Sequence, residues 1–358
     1  MTGEDPAGGL AAAVSAAVSA TVRALRAVAH LDWSVPAAGL EWSCRETAVH
    51  LAGDLTGFAA QLAGRVTGSY LPLAVGAAPG TPPGALVDLV GASGLLLAAA
   101  VRAARPDDRA WHPAGSAGPG GFAAMGAAEL LLHTHDVLHG LGVTHWRGED
   151  PAAALVLDRL FPHVPRSGPD APWETLLAAT GRAAFPGLPR RRTWRWYGDP
   201  VVGTGVVLCE ISPSLAGDLA DGGTGGFTWT ADGPPEGTRA AAALLLRDRD
   251  RGAHRPGWGP YAIVRARDRR AIGGIGFHAA PDAEGRVETG CELVPSARGC
   301  GHATEALRAL ACWAFAQSGA HELCATAEEA DGPSRAVLLR AGFEHRGAGR
   351  YVLRAAGR

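Results

Sequence analysis

The spacing of apolar residues changes near residue 200, and this change limits the possible folds more than any other feature. Before about residue 190, apolar residues recur at helical spacing and β-branched alternation is rare. After residue 204, short apolar runs at 206–209, 261–264 and 272–277 are typical of strands and alternate with helical patterns. The 358 residues also exceed the ~100–200 of one domain. We therefore expect an all-α domain at 1–200 and an α/β domain at 204–358.

The first half contains four long amphipathic helical patterns. They lie at about 10–30, 43–66, 83–104 and 120–140, with shorter patterns at 151–160 and 171–183. Ser43 followed by Glu46 at the third helical position forms a capping box at the start of the second pattern. This arrangement predicts a four-helix bundle with two short helices packed outside it.

Charge and cysteine content argue against several function classes. The formal net charge is −2, so neither nucleic acid nor an anionic membrane is a default partner. We interpret the basic and aromatic stretch at 189–200 as a solvated edge or a linker and not as a nucleic-acid patch. The six cysteines form no C-x-x-C pair, and we expect them to be reduced in a cytoplasmic protein. No signal peptide is predicted, and no transmembrane helix either, because charges such as Arg23, Arg26 and Asp54 interrupt the Ala-rich stretches.

The most informative motif lies at 288–306, where a strand pattern leads through a glycine-rich loop into an amphipathic helix. Small residues let a ligand approach the backbone, and the first N–H groups of the helix point towards an anion. The pattern favours a diphosphate site, although a glycine loop by itself is more often a structural turn.

The residues Arg298-x-x-Gly301-x-Ala303 resemble the pyrophosphate loop of the GNAT acetyltransferase superfamily. Downstream, Asp331-x-x-Ser334 followed by Gly342-Phe343 is similar to the second acetyl-CoA motif of that family. The resemblance implies an α/β fold with a mixed, splayed sheet and acetyl-CoA as cosubstrate. The cosubstrate-binding residues that it implies are Leu293, Val294, Arg298, Gly299, Cys300, Gly301, His302, Ala303, Thr304, Asp331 and Ser334.

Amine attack on a thioester needs a group that takes the proton of the amine. Glu288 is our first candidate because the family often places a base on this strand, and Glu292 is the second. Both could equally be surface charges of a strand. Two departures from the family pattern are Asp331, where Asn is usual, and Leu338, where many relatives carry a Tyr general acid.

A second set of polar residues lies in the helical half. Glu129 and His133 are four residues apart, so they lie on one helix face. They could form a solvated ion pair, or they could bind a divalent ion, zinc above all, with His50 of the second helix as third ligand. Asp136 could then support the ligands through hydrogen bonds.

The stretch from Trp42 to Leu51, together with Glu129-x-x-x-His133-x-x-Asp136, resembles the DinB-like family over residues 8–200. That family includes mycothiol-dependent maleylpyruvate isomerases. The resemblance implies that His50, Glu129 and His133 bind a divalent metal, which activates a low-molecular-weight thiol.

The sequence thus leads to three hypotheses. The first is an acetyl-CoA-dependent N-acyltransferase that acts on an amine of a small molecule or protein and carries a DinB-like metal-binding domain. The second is a metal- and thiol-dependent S-transferase or isomerase whose C-terminal domain senses acyl-CoA. In the third, the helical bundle is a non-catalytic interaction module.

Overall fold

The computed structural model describes residues 6–113, 116–166, 171–188, 190, 197, 200–317 and 319–355. The chain divides into two compact units, 1–161 with 166–199 and 162–165 with 200–358. Most of the basic and aromatic stretch at 189–200, which leads up to the predicted boundary between the two domains, lies outside the described residues.

The first unit contains six helices in its described part. They are α1 Pro6–Ala27, α2 Cys44–Gly64, α3 Pro83–Ala103, α4 Pro119–Gly140, α5 Asp150–Leu160 and α6 Pro172–Ala179. Proline begins several of them, where its missing N–H costs no hydrogen bond. The α2 helix begins instead with the predicted capping box between Ser43 and Glu46. The predicted bounds differ from these by a few residues: α1 begins at Pro6 and not near residue 10, and α6 ends at Ala179 and not near residue 183.

Helices α1 to α4 pack against one another as a bundle, while α5 covers α4 and α6 packs on α5. Because α4 is covered on both sides, 18 of its 22 residues are buried, which the expected amphipathic pattern did not predict.

Two glycines bring the helices close together. A Cβ at Gly126 would lie 2.2 Å from Leu97, and one at Gly94 would lie 2.4 Å from Val18. The buried helix α4 carries the predicted ligands Glu129 and His133.

Within the described residues, α1 (from Ala7) and α3 are long and apolar enough to cross a membrane by length and composition. Both pack in the bundle, with α1 against α3 and α4 and α3 against α2. One face of α3 is buried, whereas Leu95 and Leu96 are exposed. The core helix of a bundle passes the same test, so the finding is weak support for a membrane span.

The second unit is an eight-stranded mixed sheet with helices. The strands are β1 Val201–Val202, β2 Val206–Glu210, β3 Pro260–Arg265, β4 Ala271–Phe277, β5 Arg286–Leu293, β6 Glu322–Thr326, β7 Glu344–His345 and β8 Arg350–Arg354. Their order is β1-β2-β3-β4-β5-β6-β8-β7, and all neighbours are antiparallel except β5 and β6. The helices are α7 Pro213–Ala220, α8 Glu236–Asp250, α9 His302–Ala316 and α10 Gly332–Ala341.

The two central helices pack against the sheet. Helix α9 lies against strands β1, β2, β4 and β5, and its Leu307 and Leu310 join the strand residues Ile263 and Val287 in one core. Helix α8 packs against β3 and β4. The predicted two-domain fold class, a helical bundle followed by an α/β domain with a mixed sheet, is confirmed. The sequence did not predict β1, β7 or β8, which are short or lie near the end of the chain.

Candidate acyl-CoA cleft and metal centre

Strands β5 and β6 separate part of the way along their length. They pair in parallel only from Arg286 to Glu288 on β5. The rest of β5, from Thr289 to Leu293, pairs with β4 alone. Because a strand has hydrogen-bonding groups on two sides, this segment leaves one side of its backbone facing a gap in the sheet.

The gap leads to the N-terminus of α9. The loop before this helix makes two left-handed turns, at Gly299 (φ 77°) and at the N-cap Gly301 (φ 84°), which only glycine adopts without strain. Among the residues that the structure describes, no side chain caps the helix. The first N–H groups of α9 are therefore available to an anion at the positive end of the helix dipole. The Thr304 hydroxyl of the first turn is buried without a hydrogen-bond partner among the described atoms.

Helix α10 borders the same gap, and its N-cap is the unusual residue Asp331. The carboxylate accepts a hydrogen bond from the backbone N–H of Ser334 at 3.0 Å. The hydrogen bonds from Ser334 lower the pKa of Asp331, so the group is ionised. An N-cap needs only an acceptor, and this explains how Asp can replace the usual Asn at this position.

Together these elements surround a cleft of about 950 Å³. The predicted residues that line it are Glu292, Leu293, Arg298, Gly299, Gly301, His302, Ala303, Thr304, Asp331 and Ser334. Two other predicted residues do not line it: Val294 is fully buried and donates its N–H to Ile272, while Cys300 is exposed outside the cleft. Arg298 Nε lies 3.1 Å from the carbonyl oxygen of Leu293 and donates a hydrogen bond to it.

The two candidate bases occupy different positions. Glu292 borders the cleft and also a second, smaller cavity on the α8 side of the sheet, and its Oε2 accepts the N–H of Gly237 at 2.8 Å. Glu288 borders neither cavity. Its Oε2 lies 3.4 Å from Nδ1 of His278, and it is His278 that lines the smaller cavity. His278 was not among the residues predicted from the sequence, because a histidine just after a strand carries no motif.

In the helical unit, the three predicted metal ligands lie together. One ligand atom from each of His50, Glu129 and His133 lies within 4.8 Å of the others. The rings of His50 and His133 meet edge to face, with centroids 5.1 Å apart. Such convergence of two imidazoles and a carboxylate suits zinc or another divalent transition ion.

The local electrostatics also fit a cation. Glu129 Oε2 is buried without a hydrogen bond of good geometry among the described residues, although Nε2 of His133 is 3.0 Å away. Burial opposes a charge on His133, but its hydrogen bond to Asp136 and the carboxylate of Glu129 raise its pKa to about 9. The site thus favours positive charge at this point, and a metal ion would supply it in place of the proton.

Asp136 orients His133, as the sequence suggested. Its Oδ2 lies 3.2 Å from Nδ1 of His133, which directs Nε2 towards Glu129. Arg182 donates two hydrogen bonds to this carboxylate, at 2.8 and 2.6 Å. Burial by itself would raise the pKa of Asp136, but the hydrogen bonds from His133, His135 and Arg182 hold it well below its ordinary value. Asp136 is therefore a fixed anion that holds the ring in one orientation.

Asp54 is a further carboxylate at this site that the sequence analysis did not identify. It lies one turn after His50, and its Oδ2 is 3.4 Å from Nε2 of that ring. Burial and the nearby charge of Glu129 raise the pKa of Asp54 to about 7. The i, i+4 spacing from His50 was the available signal for it.

Comparisons with known families cover both units. Residues 224–344 match the acetyltransferase (GNAT) domain family, and residues 14–138 match the mycothiol maleylpyruvate isomerase N-terminal domain family. No curated protein sequence matches the chain significantly.

Several solved structures are similar to the C-terminal part. A GNAT-family acetyltransferase from Bacillus anthracis is 14% identical, with 43% of this chain and 98% of that one covered and a TM-score of 0.31. An acetyltransferase from Agrobacterium tumefaciens is 20% identical, with 47% and 99% covered and a TM-score of 0.30. Mycobacterium smegmatis RimJ in complex with CoA-disulfide is 18% identical, with 42% and 82% covered and a TM-score of 0.31. On the two family matches, the chain joins a mycothiol maleylpyruvate isomerase N-terminal domain to a GNAT acetyltransferase domain.

Proposed function

We propose that the C-terminal unit transfers an acetyl group from acetyl-CoA to a primary amine of a small molecule or protein. The observation that carries the proposal is the cleft where β5 leaves β6 and the uncapped N-terminus of α9 begins. An extended pantetheine arm can bind the open side of β5 as a strand would. The diphosphate can accept hydrogen bonds from the first N–H groups of α9.

Two unsatisfied or charged groups in the cleft support an anionic ligand. The Thr304 hydroxyl is buried and has no hydrogen-bond partner among the described atoms, so it is free to donate to a diphosphate oxygen. Arg298 brings positive charge to the same cleft, which Asp331 and Ser334 also line.

Gly301→Val tests the cleft. The change forces a β-branched residue into a left-handed conformation (φ 84°) and places a side chain where no protein atom lies within 4 Å of the new Cβ. We expect about hundredfold weaker binding of acetyl-CoA, because losing two charge-assisted hydrogen bonds costs about 3 kcal/mol or more. Calorimetry with acetyl-CoA measures this loss.

Gly252→Val is the matched control. Gly252 also has a left-handed conformation (φ 70°) with no atom within 4 Å of a new Cβ, but it follows α8 and lines neither cavity. This variant should keep wild-type affinity. Equal affinity in Gly301→Val and wild type would reject the diphosphate site, and wild-type protein that binds acetyl-CoA but releases no CoA with any amine would reject transfer.

A second function belongs to the helical unit and is favoured by the convergence of the buried Glu129 Oε2 with the rings of two histidines. We propose that His50, Glu129 and His133 hold a divalent ion, zinc above all. When bound, such an ion lowers the pKa of a coordinated thiol and makes it nucleophilic. The function would be transfer or isomerisation that depends on a low-molecular-weight thiol.

Consumption of a thiol by an electrophile tests this second function. Metal-loaded protein should accelerate the reaction, and His133→Ala should not. Equal acceleration by both proteins would show that the proposed metal site takes no part in the reaction. The third hypothesis, a bundle that acts as an interaction module, would then remain.

We also expect a cytoplasmic location, where the six free cysteines remain reduced.

A further inference from the structure

A trench lies on the α8 side of the sheet, beside the acyl-CoA cleft. It encloses about 220 Å³ and shares the segment Gly290 to Glu292 with that cleft. This shared segment places the trench next to the point where a thioester would lie. The trench holds the equivalent of about seven water molecules at their volume in the liquid, so only a slender group can enter it.

Three glycines form the floor of the trench. Gly274 and Gly276 of β4 pair with Glu292 and Gly290 of β5, so all four residues lie on the same face of the sheet. A Cβ at Gly274 would lie 2.3 Å from the hydroxyl oxygen of Thr238. The absence of a side chain at Gly274 therefore leaves room for this hydroxyl.

The Thr238 hydroxyl has no partner to satisfy it. Thr238 is 3% exposed, lines the trench, and its Oγ1 makes no hydrogen bond with the described atoms. Buried polar groups are nearly always hydrogen-bonded, so an unpaired hydroxyl on a residue that lines a cavity points to a ligand group beside it.

His278 lies at one end of the trench and is held by Glu288. The backbone N–H of His278 donates to the carbonyl of Glu288 at 3.0 Å, which fixes the two residues side by side. The Glu288 carboxylate lies 3.4 Å from Nδ1 and therefore favours the tautomer with its proton on Nδ1. This leaves a lone pair on Nε2, which lies 3.2 Å from the position of a Cβ on Gly290.

Glu292 supplies negative charge to the same trench. Its Oε2 is occupied by the N–H of Gly237 at the start of α8, where the helix dipole stabilises a carboxylate. The other carboxylate oxygen, Oε1, remains for a cation. Thr238, Glu292 and His278 thus bring hydrogen-bond acceptors to the lining of the trench, and a primary ammonium group has N–H donors for such acceptors.

We propose that His278, oriented by Glu288, takes the proton from a primary acceptor amine in this trench, and that Thr238 helps select that amine. This assignment rests on the proposed acetyl transfer. It makes His278 the catalytic base and Glu288 a positioning residue.

The proton and bond changes balance without another reactant. The bound ammonium group gives one proton to Nε2 of His278, and the neutral amine attacks the carbonyl carbon of the thioester. The C–N bond forms, the C–S bond breaks, and the second amine proton goes through water to the leaving thiolate. His278 is 55% exposed at its side chain, so it returns its proton to solvent.

The acceptor class is tested with three probes. n-Butylamine and the peptide triglycine both present an unbranched primary amine, one as a small molecule and one as a peptide N-terminus. N-Methylbutylamine presents a secondary amine of similar size. CoA release should occur with one or both primary amines and be at least tenfold slower with the secondary amine, and equal rates with the secondary amine would overturn the selection of a primary amine.

The roles of the residues are tested with variants, using the primary amine that turns over faster. His278→Gln should lower kcat about a hundredfold, the usual effect of losing a general base, and leave the KM for acetyl-CoA unchanged. Exogenous imidazole should restore part of the kcat of His278→Ala. Glu288→Gln keeps a hydrogen-bond acceptor without its charge, so its kcat should fall less than that of His278→Gln. Thr238→Val should raise the KM for the amine about tenfold, as expected for a lost hydrogen bond to a charged group.

Two matched controls separate these effects from general damage. Glu284→Gln removes another exposed carboxylate next to β5, and Thr230→Val removes another buried threonine hydroxyl, both outside the cavities. Both controls should keep wild-type kcat and KM. Wild-type kcat in His278→Gln, or no rescue of His278→Ala by imidazole, overturns the base, and an unchanged KM in Thr238→Val overturns the selection. If the wild-type protein transfers to no amine at all, the proposed function itself has failed.

Discussion

At the scale of single residues, Glu129 shows most clearly what the helical unit is built to hold. A buried carboxylate oxygen without a hydrogen bond destabilises a fold unless something satisfies it. Asp136 and Arg182 restrain His133 so that its ring cannot turn away from this oxygen. Glu129 and the restrained ring of His133 therefore form a cation site, and this arrangement lowers the stability of the folded unit when no cation is bound.

His133→Ala should remove the metal from the protein. The change takes away the ligand that Asp136 orients and leaves His50 and Glu129 of the three clustered ligands, too few for tight binding of zinc. We expect about one divalent ion per chain in wild type and close to none in the variant, measured by elemental analysis.

His139→Ala provides the control for this experiment. His139 lies on the same helix but stacks on His135, with ring centroids 4.0 Å apart, and is not one of the clustered ligands. Its loss should leave the metal content at the wild-type value. Equal metal in His133→Ala and His139→Ala would contradict the assignment.

Site residues could be predicted from the sequence where they belong to one helix, or to one loop and the helix that follows it. Arg298, Gly301 and Ala303 form one loop and helix start, and Glu129 and His133 form one helix turn, so local spacing reports their proximity. Thr238 and His278 come from a helix and a strand end 40 residues apart. Only the packing of α8 on β4 brings them to the same trench, and the sequence contains no local signal for that packing.

At the scale of elements, the start of α2 combines a strong local signal with a site residue one and a half turns later. Ser43 accepts the N–H of Glu46 while Glu46 accepts the N–H of Ser43, which satisfies two donors at the helix end. His50 lies on this helix, so the capping box also fixes the start of the helix that positions one ligand.

Ser43→Ala should loosen the first turn of α2. Loss of a serine N-cap costs about 1 kcal/mol, which corresponds to about fivefold faster local opening. Hydrogen–deuterium exchange of peptides that cover residues 43–47 should show this increase.

Ser19→Ala is the comparison for this prediction. Ser19 lies inside α1 and its hydroxyl bonds only to the carbonyl of Ser15 one turn earlier. Alanine is the better helix former there, so exchange in α1 should not rise. Unchanged exchange at 43–47 in Ser43→Ala would show that the capping box contributes little.

The predicted elements agree with the structure where periodicity and end signals act together, as at α2, α3 and β6. Helix α4 differs because its burial on nearly all sides depends on α5, which covers the face that an amphipathic helix would expose to water. A sheet that splays next to the glycine loop was expected from the family resemblance and not from any strand pattern, and the structure shows this as a pairing of β5 with β6 over three residues. Where two strands separate depends on what fills the gap between them, and the strand propensity of the residues does not describe this.

At the scale of the whole molecule, we predict that the chain separates near residues 198–204 into two units that fold independently. Each unit is compact and has its own buried core, as expected of a domain that can fold alone. Fragments 1–199 and 200–358 should each express and unfold cooperatively, as measured by circular dichroism during thermal denaturation.

A cut within the glycine loop, after residue 300, is the negative control. It separates α9 from the strands that share its core, so neither product should contain a complete C-terminal unit. Loss of cooperative unfolding in both 1–199 and 200–358, while the full chain retains it, would show that the two cores depend on each other.

The divergence of β5 from β6 also gives the ligand-free protein an aggregation hazard. Residues 289–293 pair with β4 alone, so the middle of the sheet contains what is in effect an exposed edge. Proteins normally protect such edges, since another extended chain can add to them as a new strand. If pantetheine lies along this segment, it covers the exposed strand edge. The cellular concentration of acetyl-CoA would then protect the folded protein from self-association.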